Sequence, residues 1–209
     1  MRYDQRHGKQ YYISQLRKEH IDIIQKAESG KSLLQLVNNW LERMPLAPSW
    51  PDPEKGKENS FWVQYHTCFK NSLVDAEKDN LQMFEETFFP KKENTDHSLS
   101  SKANRAALFI MLYRGYPLLQ LPFQLLNSLL EIDEQLSSWR YRHMNMVHRM
   151  IGSRIGTGSS SGKDYLKAAA DKHYIFREIA QLNSFLIERR KLPVLPADIE
   201  KRLGFVAGL

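Results

Sequence analysis

The chain has 209 residues, 42% of them hydrophobic and 26% charged, with a formal net charge of +6 at pH 7 and a single cysteine. This is the composition of one globular domain able to bury a core, and the single cysteine excludes an intramolecular disulfide framework. A charge of +6 over this length predicts a solvated surface rather than a nucleic-acid interface, and no apolar run nears the roughly 18 residues that cross a bilayer.

Helical periodicity recurs along the chain and nothing reads as a strand, so the predicted fold class is all-α, a single helical bundle over residues 1–209. The opening MRYDQRHGKQ lacks the apolar core of a signal peptide, and one cysteine suits a reducing compartment; a cytoplasmic protein is expected. A polar first helix is predicted over residues 11–28, with Leu16, Ile21, Ile23 and Ile24 as its apolar positions. Ser32 is placed to cap a second, carrying Leu33, Leu36, Val37, Trp40 and Leu41, which Pro45 and Pro48 follow. PDPEKGKEN (51–59) has turn composition. A long third helix is expected from Ser60 to Phe89, stopped by Pro90, with Cys68 as an inert buried thiol. Ser100 or Ser101 caps a fourth through Tyr113, close-packed at Ala106, Ala107, Ile110 and Met111. Pro122 suits the first turn of a fifth helix reaching Met150. A sixth is predicted from Lys163 to Arg189, ahead of KLPVLP, and a short last one from Asp198 to Leu203.

The stretch WRYRHMNMVHRMIGSRIGTGSSSGKDYL, Trp139–Leu166, concentrates the candidate chemistry. No acidic residue lies between Glu134 and Asp164, whereas Arg140, Arg142, Arg149, Arg154 and Lys163 do. Gly156–Gly162 invites a phosphate-loop reading, because glycines before a helix wrap phosphates in backbone N–H groups. The spacing excludes it: a P-loop needs four residues before its Gly-Lys pair, and Gly156 leaves five while Gly158 leaves three. Asp164 also stands where the magnesium-binding hydroxyl belongs.

His143 and His148 share the helix but lie about 140° apart around it, so one straight helix cannot aim both at one metal. There is no HExxH and no Cys/His cluster, which argues against structural zinc. Trp139 one turn before His143, and Met146 and Val147 one turn after, make an aromatic and apolar face suited to a flat hydrophobic cofactor. One histidine on such a face is the arrangement of an axial haem ligand. Spacing alone equally describes an ordinary core stripe.

This stretch closely resembles the tryptophan 2,3-dioxygenase family, whose signature runs roughly WRxxHxxMVxRxIGxxxGTGGSSGxxYL. It stands here as Trp139, Arg140, His143, Met146, Val147, Arg149, Ile151, Gly152, the loop Gly156–Gly162, Tyr165 and Leu166. PFQLLNSLLEID (122–133), LLQLVNNWLERMP (33–45) and the opening RYDQRH are similar to animal-type members. The resemblance implies an all-helical haem-binding bundle with long core helices. The implied reaction inserts both atoms of O₂ across the indole C2–C3 bond of L-tryptophan, giving N-formylkynurenine.

It further implies haem b with His143 as the axial iron ligand, and Trp139, Arg140 and Val147 beside the cofactor. Thr157, with Gly156 and Gly158, is the implied substrate-binding loop, closing over tryptophan. Arg142, Arg149 and Arg154 join Arg140 as candidates for propionate pairing. One departure is visible: Ser159 stands where the family has glycine.

Two further family patterns, FIxxHQxxELWFK with a distal histidine and FRxxSGFQS with a carboxylate-binding arginine, do not occur in the chain. His66, in WVQYHTCFK, belongs to a different helix and takes no distal role. Three readings stand. One is a C-terminal subunit of a split enzyme, in a hetero-oligomer of possible tetrameric order with a companion subunit that carries the distal haem pocket. The others are a fragment of a longer protein and a non-catalytic haem-binding subunit. Met1 directly before a family-like segment favours the split form. A relative hydroxylating an aromatic amino acid is the nearest enzymatic alternative.

Overall fold

The computed structural model describes residues 14–49, 60–92, 98–151 and 174–204. The structured elements are α1 (Lys18–Ser29), α2 (Leu33–Glu42), α3 (Phe61–Ser72), α4 (Asp79–Phe88), α5 (Ser101–Leu112), α6 (Pro117–Ile151), α7 (Arg177–Gln181) and α8 (Ala197–Leu203), with short 3-10 turns between. No strand occurs among the described residues, and the fold is all-α. Two compact units are present: residues 1–33 with 133–174, and residues 34–132 with 175–209.

The second unit holds the hydrophobic core. α5 runs through its centre, and small side chains at Ala103, Ala106 and Ala107 let neighbours close on it while Leu108, Phe109 and Ile110 are fully buried. Around it sits an aromatic cluster from α3, α4 and the 3-10 turn Leu182–Phe185. Phe69 stacks on Phe84 with centroids 4.7 Å apart, and Phe88 meets Phe185 edge-on at 5.2 Å. Polar tips of the buried aromatics are satisfied: Trp62 Nε1 donates to the Pro48 carbonyl (2.9 Å), Tyr65 to Phe185 O (2.6 Å) and Tyr113 to Pro193 O (3.1 Å). Burial pushes both phenols far above their ordinary pKa, so they remain protonated donors.

The long third helix expected over 60–89 is two helices. α3 stops at Leu73, which is extended, and a 3-10 turn at Asp75–Glu77 leads into α4. In one straight helix Phe69 and Phe84 would stand about 22 Å apart at 1.5 Å per residue; the turn brings them into contact instead. The helix predicted over 11–28 is interrupted: Ser14 and Gln15 are helical, Leu16 bends and Arg17 is extended, and α1 resumes at Lys18. α6 begins at Pro117, which takes the first-turn role expected of Pro122, and Pro122 lies inside the helix. Pro122 cannot donate to the Leu118 carbonyl, and the exposure of Leu118 leaves water to take that place. The predicted Lys163–Arg189 helix is seen only in its described end, where α7 gives way to 3-10 structure and an extended Leu186. Cys68 is half-buried, not sealed in the core.

Ser100 caps α5 as its sequence position suggested. Its Oγ accepts from Ala103 N–H (3.1 Å) and donates to Glu42 Oε1 (2.6 Å), while Asn38 Oδ1 takes the Ser100 N–H (2.8 Å). The start of α5 is thereby tied to the end of α2. Buried Arg105 donates to the Phe88 carbonyl and closes the C-terminus of α4. Ser100→Ala is expected to cost about 1–2 kcal/mol, since the cap is lost and the Glu42 carboxylate loses a donor. A lower urea midpoint with an unchanged slope is the measurement.

Candidate functional site

α6 is 35 residues long, about 52 Å at 1.5 Å per residue, and its last half belongs to the first unit. Within that unit the only buried apolar side chain among the described residues is Met144, at 5% exposure. The candidate site is therefore built on one helix face that its own unit leaves open.

Trp139 and His143 are one turn apart and about 40° apart around the helix. Their rings lie parallel, centroids 5.4 Å apart and planes within 9°. Trp139 is 62% exposed and His143 half-buried. The indole covers one face of the imidazole and restricts its rotation, while neither ring nitrogen of His143 has a hydrogen-bond partner among the described residues. Met146 is exposed on the same side. Met150, which sequence reading left as a helix end, is 76% exposed and only about 20° from His143; its seven-residue spacing was the available signal.

Arg140 is half-buried beside Trp139 in sequence, whereas Arg142 and Arg149 are exposed. His148 is half-buried, and its Nδ1 is buried without a hydrogen-bond partner. It points about 140° from His143, so the helix presents one imidazole to the Trp139–Met150 face. Val147 lies in α6, but its side chain is outside the described residues, as are Gly156, Thr157, Gly158, Arg154 and Ser159. No group of three or more His, Cys, Asp or Glu able to hold a metal ion occurs among the described residues. No described helix is long and apolar enough to cross a membrane.

These residues fit haem on three counts. An imidazole whose ring nitrogens have no hydrogen-bond partner among the described residues is the donor that iron ligation needs, a stacked indole fixes the ring's plane, and exposed thioethers supply apolar surface for a macrocycle.

The profile of the family described as tryptophan 2,3-dioxygenase matches residues 76–186, just over half of the chain, and takes in the His143 face and the glycine-rich segment. A tryptophan 2,3-dioxygenase of Alteromonas mediterranea is 37% identical over 94% of this chain and 60% of its own length. One from Bdellovibrio bacteriovorus is 38% identical over 83% of this chain and 54% of its own. The Rattus norvegicus enzyme is 32% identical over 94% and 53%. The chain thus spans little more than half the length of the curated relatives it matches. With its profile laid over the histidine-bearing helix and bacterial and vertebrate members aligned along most of its residues, the chain belongs to the tryptophan 2,3-dioxygenase family.

Proposed function

We propose that this chain is the haem-ligating subunit of a tryptophan 2,3-dioxygenase-type enzyme, corresponding over residues 1–209 to the C-terminal half of such an enzyme. His143 holds the iron of haem b from the proximal side, and a companion chain supplies the distal pocket in a cytoplasmic hetero-oligomer. The observation that carries this reading is the His143 imidazole, without a hydrogen-bond partner among the described residues and stacked with Trp139 on an exposed apolar face. The companion is invoked because neither distal pattern occurs among these residues.

When bound, haem supplies the O₂ chemistry that cleaves the indole C2–C3 bond of L-tryptophan to give N-formylkynurenine. The chain's own residues do the rest on this side. His143 would hold the iron, Trp139 holds the imidazole plane, and Arg140 with Val147 would border the cofactor. Thr157, between Gly156 and Gly158, binds the amino-acid end of tryptophan and closes with its loop, excluding water.

The test is complementation. The purified, haem-loaded chain is expected to form no N-formylkynurenine from tryptophan. Addition of a polypeptide bearing the family's distal-histidine and carboxylate-binding segments restores product. Full turnover by the chain alone would refute the companion, and no product from the mixture would refute the assignment.

A further inference from the structure

Among the described methionines Met146 and Met150 are the exposed ones, at 51% and 76%. Met111 (8%) and Met144 (5%) are buried, while Met44 and Met83 are half-buried against the core of the second unit. The exposed pair shares a face. Met146 stands about 60° from His143 around α6 and Met150 about 20°, whereas Met144 stands about 100° to the other side. Trp139 and Met150 bracket His143 over roughly 16.5 Å of helix.

A thioether is a soft, apolar group, and a peroxide turns it into a polar one. The methionine sulfur bonds to one peroxide oxygen as the O–O bond breaks. Sulfur gives up two electrons, and the second oxygen leaves as water. Exposure decides which thioethers react, and neither Met146 nor Met150 belongs to the buried core. Oxidation there leaves the fold standing and alters the face instead. Two sulfoxide oxygens on that face demand hydrogen bonds that an apolar macrocycle cannot give.

We propose that Met146 and Met150 form a reversible oxidation site that gates haem loading. As thioethers they keep the Trp139–Met150 face receptive; as sulfoxides they close it. The gate rests on the reading of His143 as the haem ligand. Its reversal is thiol chemistry: two thiols become a disulfide, sulfur regains two electrons, and the sulfoxide oxygen leaves as water. Two reductases are needed, one for each sulfoxide epimer.

The full chain without haem, treated with millimolar hydrogen peroxide, mapped by peptide mass spectrometry and then titrated with haem, tests this. Met146 and Met150 are expected to gain one oxygen each about tenfold faster than Met111 and Met144. The haem affinity read from the Soret band should fall about tenfold or more. The near-ultraviolet dichroism stays as it was, and the two methionine sulfoxide reductases with dithiothreitol restore the affinity. In the double variant Met146→Leu, Met150→Leu the affinity is the same before and after peroxide, which excludes half-buried Cys68 as the target. Met44→Leu keeps the full loss. Oxidation of Met111 and Met144 as fast as the exposed pair, or a peroxide effect that survives in the double variant, overturns the proposal. Failure of the untreated chain to bind haem removes the His143 reading and the gate together. Untreated binding that peroxide leaves intact removes the gate alone.

Discussion

His143→Ala is expected to abolish the histidine-ligated Soret band of the haem-reconstituted chain, and His148→Ala to retain it. Loss of a partner that merely orients a metal ligand costs 10–100-fold in affinity, so loss of the ligand itself is expected to exceed about 100-fold. The two histidines are close in sequence and separated by geometry. One presents a ring without a hydrogen-bond partner among the described residues on the Trp139–Met150 side, and the other lies about 140° around the helix with Nδ1 buried. Added imidazole should restore the band in His143→Ala, because the truncated side chain leaves the axial position and its apolar surroundings in place. Trp139→Ala should keep a histidine-type spectrum but weaken haem retention by about tenfold, since the ring loses its stacking partner and not its nitrogen. Loss of the band in His148→Ala with retention in His143→Ala would reverse the assignment.

The helical class and several boundaries were legible because their signals are local. Ser100 before an alanine-rich run reads as a cap and is one, and the prolines after Leu192 end regular structure where they stand. The Trp139–His143 pair was legible for the same reason, since an i, i+4 spacing on a helix is a spatial statement. The break between α3 and α4 was not. No glycine or proline marks Leu73–Glu77, and the turn is favoured by Phe69 reaching Phe84, a contact between residues that are remote along a straight helix. Pro122 reads as the first turn of α6, and the helix begins five residues earlier, at Pro117. The hydrogen bond from Leu99 N–H to the Glu178 carboxylate was illegible outright, because it joins residues 79 positions apart. Sequence also does not show that the described residues of the histidine-bearing unit bury little apolar surface; that follows from which faces find a neighbour.

The aromatic cluster of the second unit sets the other large expected effect. Phe84 is fully buried and meets Phe69 at 4.7 Å, Phe88 at 4.6 Å, Phe185 at 5.6 Å and Tyr65 at 6.1 Å. Truncation to alanine removes the ring that these four share and opens a cavity that rigid neighbours fill poorly, a loss of about 3–5 kcal/mol. Against a total of roughly 5–15 kcal/mol for a domain, that takes a third or more of the stability. Tyr65→Phe keeps the ring and leaves the Phe185 carbonyl without its donor, so it should cost less, about 1–3 kcal/mol. Leu121→Ala, on the face of α6 where Leu121 is 73% exposed, should stay within about 0.5 kcal/mol. Urea unfolding followed by the near-ultraviolet dichroism of the core aromatics orders the three. A Phe84→Ala midpoint no lower than that of Leu121→Ala would mean that the two helices are not held together by this cluster, and that the turn at Leu73–Glu77 has another cause.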